Sequence, residues 1–181
     1  MNARELQTAI REDLETLFSG IPYKVPPEAD GNCPAYQTGM DHSPDEETPP
    51  QEDPKGAAIR VFEQGLPIQD AESDDPYPYI IVRLDTGGID TPTDPHKINV
   101  VLLIGIYDDD RKNQGHKTVL EVIERIQAHY EKNPTLSGGA FQFSDPFKWV
   151  LQDEPSYPYF YGACNLAFNT YADRTEVSEY T

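Results

Sequence analysis

The sequence predicts an α+β fold: a mainly antiparallel sheet of roughly four to six strands packed with two helices and interrupted by a long acidic, proline-rich insertion. Three observations carry this. From Lys97 to Tyr107, Ile98, Val100, Leu102, Ile104 and Ile106 repeat at period two, while Asn99, Val101, Leu103, Gly105 and Tyr107 give a largely apolar second face. A strand apolar on both faces belongs in the middle of a sheet with cover on both sides. From His116 the period becomes helical, with Val119, Leu120, Ile123, Ile126 and Tyr130 on one stripe. Between Glu28 and Asp53 acids accumulate without a single Lys or Arg, and prolines recur from Pro26 to Pro54.

In chain order, Asn2 to Phe18 reads as a first helix. Asn2 and Glu5 have capping-box spacing, Leu6, Ile10, Leu14, Leu17 and Phe18 form its stripe, and Ser19-Gly20 closes it. The segment that follows cannot bury enough apolar area to offset its ordering entropy, and reads as an arm or insertion. Ala57 to Gln64 alternates Ile59 and Val61 against Arg60 and Gln64, as a strand does. After an acidic turn at Asp70 to Asp75, Tyr77-Pro78-Tyr79 leads into a strand with Ile80, Val82 and Leu84 on one face. Thr86-Gly87-Gly88 opens a loop that delivers the chain to the central strand as an antiparallel neighbour.

Asp108, Asp109 and Asp110 end the central strand, because three adjacent carboxylates repel one another and require water. Asn133-Pro134 stops the second helix. Ala140 to Phe143 and Phe147 to Leu151, the latter with Trp149, read as two short strands. Tyr157-Pro158-Tyr159 then opens a last strand with Phe160, Cys164, Leu166 and Phe168 on one side and Tyr159, Tyr161, Asn165 and Asn169 on the other. Proline is tolerated at a strand's first residue. Flanking tyrosines suit half-buried edges and interfaces, which marks Tyr77, Tyr79, Tyr107, Trp149, Tyr157, Tyr159 and Tyr161 as candidate contact residues. One domain is expected over residues 1–181: helix 1–20, acidic arm 21–56, sheet with helix 116–132 across 57–170, and a polar tail 171–181.

The net charge of −18 argues against a nucleic-acid binder, which needs a basic footprint. It fits plain solubility, a surface that repels DNA, or one that imitates it. No apolar run is long enough to span a bilayer, and the charged start from Arg4 is unlike a signal peptide. Cys33 and Cys164, far apart and in different contexts, make no disulfide framework, so a reducing compartment is expected.

Nothing in the sequence argues for an enzyme, cofactor or metal. The three aspartates lack the spaced ligands and shaping glycine of a calcium loop. Asp90, Asp94 and His96, and likewise Cys33 with His42, match no zinc spacing. There is no Gly-x-Ser-x-Gly, no phosphate-binding glycine loop and no setting for a catalytic thiolate.

Asp75-Pro76-Tyr77-Pro78-Tyr79-Ile80-Ile81-Val82-Arg83, the strand and acidic turn from Val100 to Asp110, and the helix starting at Gly115-His116 occur in a telling order. Asn133-Pro134-Thr135-Leu136, Trp149 and Tyr157-Pro158-Tyr159-Phe160-Tyr161-Gly162 complete it. This order resembles the tail terminator, or tail completion, proteins of long-tailed bacteriophages. The resemblance spans Asp75 to Thr170 plus the N-terminal helix; the segment from Pro26 to Pro54 departs from it.

The resemblance implies a small subunit that assembles into a hexameric ring in the host cytoplasm and resides in the virion. Such a ring caps the tail tube, stops its polymerisation and forms the head-tail joining interface. Its implied partners are further copies of itself, the major tail tube protein, the head-tail connector or stopper protein, and genomic DNA that passes without specific binding; no membrane is involved. Asp108, Asp109 and Asp110 then become candidate lumen or loop acids. Another neck or connector protein is the nearest alternative. A DNA-mimicking inhibitor is the alternative from a different class, although the acids concentrate in loops rather than along helices.

Overall fold

The computed structural model describes residues 2–27, 56–68, 75–91 and 93–170. The arm, the acidic turn up to Asp74, Cys33, His42, Pro92 and the tail from Tyr171 lie outside the described residues. The chain runs α1 (Ala3–Phe18), β1 (Tyr23–Lys24), β2 (Gly56–Ala57), β3 (Arg60–Glu63), β4 (Tyr79–Gly88) and β5 (His96–Tyr107). It continues through α2 (Gly115–Lys132), β6 (Thr135–Leu136), β7 (Phe141–Leu151) and β8 (Tyr159–Thr170). A six-stranded sheet in the order β3-β4-β5-β8-β7-β6 is antiparallel except where β3 meets β4, and β1 pairs with β2 in a separate ribbon. The fold class is therefore α+β, with β5 at the heart of the sheet.

α1 starts where its chemistry says it should. Asn2 Oδ1 accepts from the Glu5 amide at 3.0 Å, and Glu5 Oε2 accepts from the Asn2 amide at 3.0 Å. A cap of this kind is worth about 1 kcal/mol. Gly20 closes the turn after the helix at φ +78°, a conformation that favours glycine. Leu6, Ile10, Leu14 and Phe18 are fully buried, with Leu17 only partly so.

α2 begins at Gly115 and ends at Lys132, before Asn133-Pro134. Its buried stripe is Val119, Val122, Ile123, Ile126 and Tyr130; Leu120, expected on that stripe, is only half-buried. At 100° per residue, Val122 lies closer to the centre of a face set by Val119, Ile126 and Tyr130.

Both helices cover the same face of the sheet. Ile98, Val100, Leu102, Ile104 and Ile106 join Ile80, Val82, Cys164, Leu166, Phe168 and the helix stripes in one core. Each fully buried Leu or Ile there is worth roughly 1.5–3 kcal/mol. Gly162 lets α2 come close, since a Cβ there would lie 2.6 Å from Val119 Cγ1. His129 Nε2, 2.8 Å from Asp13 Oδ2, ties α2 to α1 beside this core. Burial pushes the Cys164 thiol up to about 12, in keeping with a small core residue.

Four expectations change. Cover on both faces of β5 is replaced by cover on one: among the described residues no helix lies over Val101 or Leu103, which are half-buried. The two short strands around Pro146 are one strand, β7, because a bulge between Ser144 and Lys148 absorbs Asp145-Pro146 while the ladder to β8 resumes on either side. Thr86, Gly87 and Gly88 are not loop: after a bulge at Asp85 they stay paired with Asn99, Ile98 and Lys97. The strand expected over Ala57 to Gln64 is shorter, β3 covering Arg60–Glu63.

Candidate interaction surface

The uncovered face of the sheet can be read off the register in rows. Arg60, Tyr79, Gly105 and Tyr161 form one row, Phe62, Ile81, Leu103, Ala163 and Val150 the next, and Arg83, Val101, Asn165 and Lys148 the third. An apolar band thus lies between an aromatic end and a polar, basic end.

The aromatic end gathers most of the candidate tyrosines. Tyr77 and Tyr79 precede and open β4, Tyr159 and Tyr161 open β8, and both strands flank the end of β5, which carries Tyr107. The Tyr77 ring lies 5.0 Å from Tyr79, 4.7 Å from Tyr159 and 6.2 Å from Tyr161, and Tyr107 lies 5.6 Å from Tyr159. These are separations at which offset and edge-on pairs attract. Gly105 makes the packing possible, because a Cβ on it would lie 2.6 Å from Tyr79 Cε1. The hydroxyls of Tyr77 and Tyr161 hydrogen-bond to each other. Burial, reinforced at Tyr77 by that hydrogen bond, pushes the Tyr77 phenol well above its ordinary value, and burial also raises Tyr79, Tyr107 and Tyr159. Tyr79 and Tyr107 are buried, so this cluster is a rigid floor more than a set of free contact groups.

Tyr157 and Trp149 stand apart. Tyr157 is half-exposed, and its hydroxyl donates to the Asp109 carbonyl at 2.8 Å, which pins the acidic loop to the turn before β8. Trp149 is 53% exposed and lies on the helix-bearing face of β7, at the margin of the sheet rather than in the tyrosine cluster.

The acidic loop is not bare charge. Lys24 Nζ donates to Asp108 Oδ1 at 2.6 Å and to Asp109 Oδ1 at 3.1 Å. Asp108 also accepts from the Asp110 amide at 3.1 Å, and Asp110 from the Lys112 amide at 3.0 Å. The hydrogen bond to Asp108 is the main cause pushing the Lys24 ammonium up to about 12, with Asp109 adding to it and partial burial opposing. A raised lysine pKa gives stability that is whole below the ordinary value near 10.5 and is lost as pH rises towards 12. Because Lys24 is partly exposed, Lys24→Met is expected to cost only about 0.5–1 kcal/mol in urea melts at pH 8, with the difference from wild type shrinking above pH ~10.5.

Sequence reasoning did not single out the polar end. Arg83, Lys97 and Lys148 are exposed and have no carboxylate within ion-pair distance among the described residues, although acids outnumber bases on the chain. A shallow cleft of about 200 Å³ lies here, lined by Asp85, Lys97, Asn99, Pro146, Lys148 and Asn165 among others. The strand alternation of Asn99, Val101 and Leu103 with Asn165 was the signal that could have shown it. Among the described residues, no three His, Cys, Asp or Glu side chains converge as metal ligands do, and no helix is long and apolar enough to cross a membrane. No protein-family model matches this chain, and no curated protein sequence matches it.

Proposed function

We propose that the chain is a structural subunit of a bacteriophage virion, of the tail terminator kind. In this reading copies assemble in the host cytoplasm into a ring of about six subunits. The ring caps the tail tube, ends its polymerisation and offers its other side to the head-tail connector or stopper protein. The observation that carries the reading is the one-sided sheet. Half-buried Leu103 and Ala163 and exposed Val150 continue the buried Ile81 in an apolar band on a face that no helix covers among the described residues, and the same sheet ends in an edge with exposed Trp149. A neighbouring subunit is the natural cover for such surfaces. The surplus of acids fits a ring through which genomic DNA passes without sticking, with Asp110 and the exposed side of Asp109 as lumen candidates.

Arg83, Lys97 and Lys148 weigh against a DNA mimic, whose displayed face must be acidic throughout. Adding the purified protein to polymerising tail tubes tests the proposal. Arrested growth, with the protein at one tube end only, is the expected result. Tubes that lengthen unchanged and carry no protein at their ends overturn it, as does stoichiometric capture of a DNA-binding enzyme in place of tubes.

A further inference from the structure

We propose that copies of this chain join head to tail by strand pairing, the outer edge of β7 from Lys148 to Leu151 adding to the outer edge of β3 of the next copy. The inference rests on the ring reading above and supplies its joint.

The sheet has two unlike edges. β6 pairs only with Phe141 and Gln142, so beyond the bulge Lys148 to Leu151 have β8 on one side and no strand on the other among the described residues. The Gln152 amide donates inward to the Tyr161 carbonyl at 3.0 Å, so by backbone alternation Val150 also faces β8 while Trp149 and Leu151 aim their amides and carbonyls outward. At the opposite edge, the Arg60 amide donates to the Pro78 carbonyl at 3.1 Å and the Gln64 amide to the Val82 carbonyl at 2.9 Å. Val61 and Glu63 therefore aim their amides outward. The bulge and Pro146 blunt the rest of β7, which leaves a stretch matched in length to the four-residue β3.

Direction agrees as well. β3 is parallel to β4, and each of the next steps to β5, β8 and β7 reverses the chain. β3 and β7 therefore run antiparallel, so a copy turned modestly about a ring axis presents β3 in the favourable sense. With Trp149 opposite Glu63 and Leu151 opposite Val61, the faces stay in register. Val150, which is 61% exposed, then lies across from the half-buried Phe62, apolar against apolar on the helix-free face. The same register sets Arg60 beside the Asp153-Glu154 loop. Among the described residues the Arg60 guanidinium donates only to the Asp75 backbone carbonyl, and Asp153 and Glu154 are exposed with no cation in reach, so the charges are complementary. Two different edges make a heterologous contact, which closes as a ring when the rotation allows.

Proline at an outward amide leaves the ladder inside the chain intact; because the Glu63 carboxylate also accepts from Thr8 and Arg11 of α1, Glu63→Ala and Trp149→Ala, which lose the side chains alone, serve as controls and are expected to keep the ring. Trp149→Pro and Glu63→Pro are each expected to run as monomers in light scattering where wild type forms rings. Mixed in equal amounts they are expected to give a one-to-one dimer, since one intact β7 edge meets one intact β3 edge. Arg60→Glu is expected to weaken the ring at least tenfold, and adding Asp153→Lys with Glu154→Lys to restore it, a rescue that misfolding does not mimic. Rings that persist in all the variants overturn this inference alone and leave the ring reading standing. A dimer formed by Glu63→Pro by itself overturns it in favour of β7 pairing with its own copy. A wild type that stays monomeric, both free and on tail tubes, overturns both.

Discussion

Leu102→Ala is expected to lower the unfolding free energy by about 3–4 kcal/mol, and Leu103→Ala, one residue on, by only about 1 kcal/mol in the isolated subunit. Leu102 is fully buried in the core on the helix-bearing face; its neighbour faces the helix-free side and is half-buried. Truncating Leu102 removes transfer free energy and leaves a cavity in the middle of a core bounded by Val82, Cys164 and α2, where relaxation is restricted. Truncating Leu103 trims a half-buried side chain flanked in register by Ile81 and Ala163 on the helix-free face. Paired urea melts of dilute monomer check this. Equal losses at the two positions would mean that the second face is also covered, and would remove the basis for assigning it to a partner.

Gly105→Val is expected to cost about 2–3 kcal/mol and to release the tyrosine cluster. The new side chain would occupy the space of the Tyr79 ring, which then swings out and takes its contact with Tyr77 with it. The phenols supply a second reading of the same event. Burial holds Tyr77 and Tyr79 above the ordinary tyrosine value of 10, so their contribution to stability is whole below pH 10 and is lost only as pH rises through their folded values. An absorbance titration of folded wild type should therefore show tyrosines un-ionised past pH 10, and the variant should release them near 10. A variant that titrates like wild type and melts at the same urea concentration contradicts the packing described for Gly105.

Much of the fold was legible because it rests on local periodicity. The period-two run from Ile98 to Ile106 and the stripes of α1 and α2 each state their own conformation, and the Asn2–Glu5 box fixes where α1 begins. The errors come where pairing partners outvote a local signal. Asp145-Pro146 and Gly87-Gly88 read as breaks, yet β8 and β5 hold the chain extended through them. An apolar second face on β5 suggested cover on both sides, but the exposed polar residues interleaved on β4 and β8, Arg83 and Asn165, belong to a face that no helix covers among the described residues. The tyrosines were legible as contact residues, whereas their convergence over Gly105 needed the register. Lys24 gave no sign of Asp108, because nothing local links residues that far apart in sequence.

In the proposed ring, copies of the chain complete one another's sheets. The most direct test is the mass of the purified 181-residue chain, measured by light scattering on a sizing column with negative-stain imaging of the peak. Rings with a mass of about six times the 20.4 kDa chain are expected. A single 20.4 kDa species at every concentration, still monomeric when mixed with tail tubes, would contradict the proposed ring.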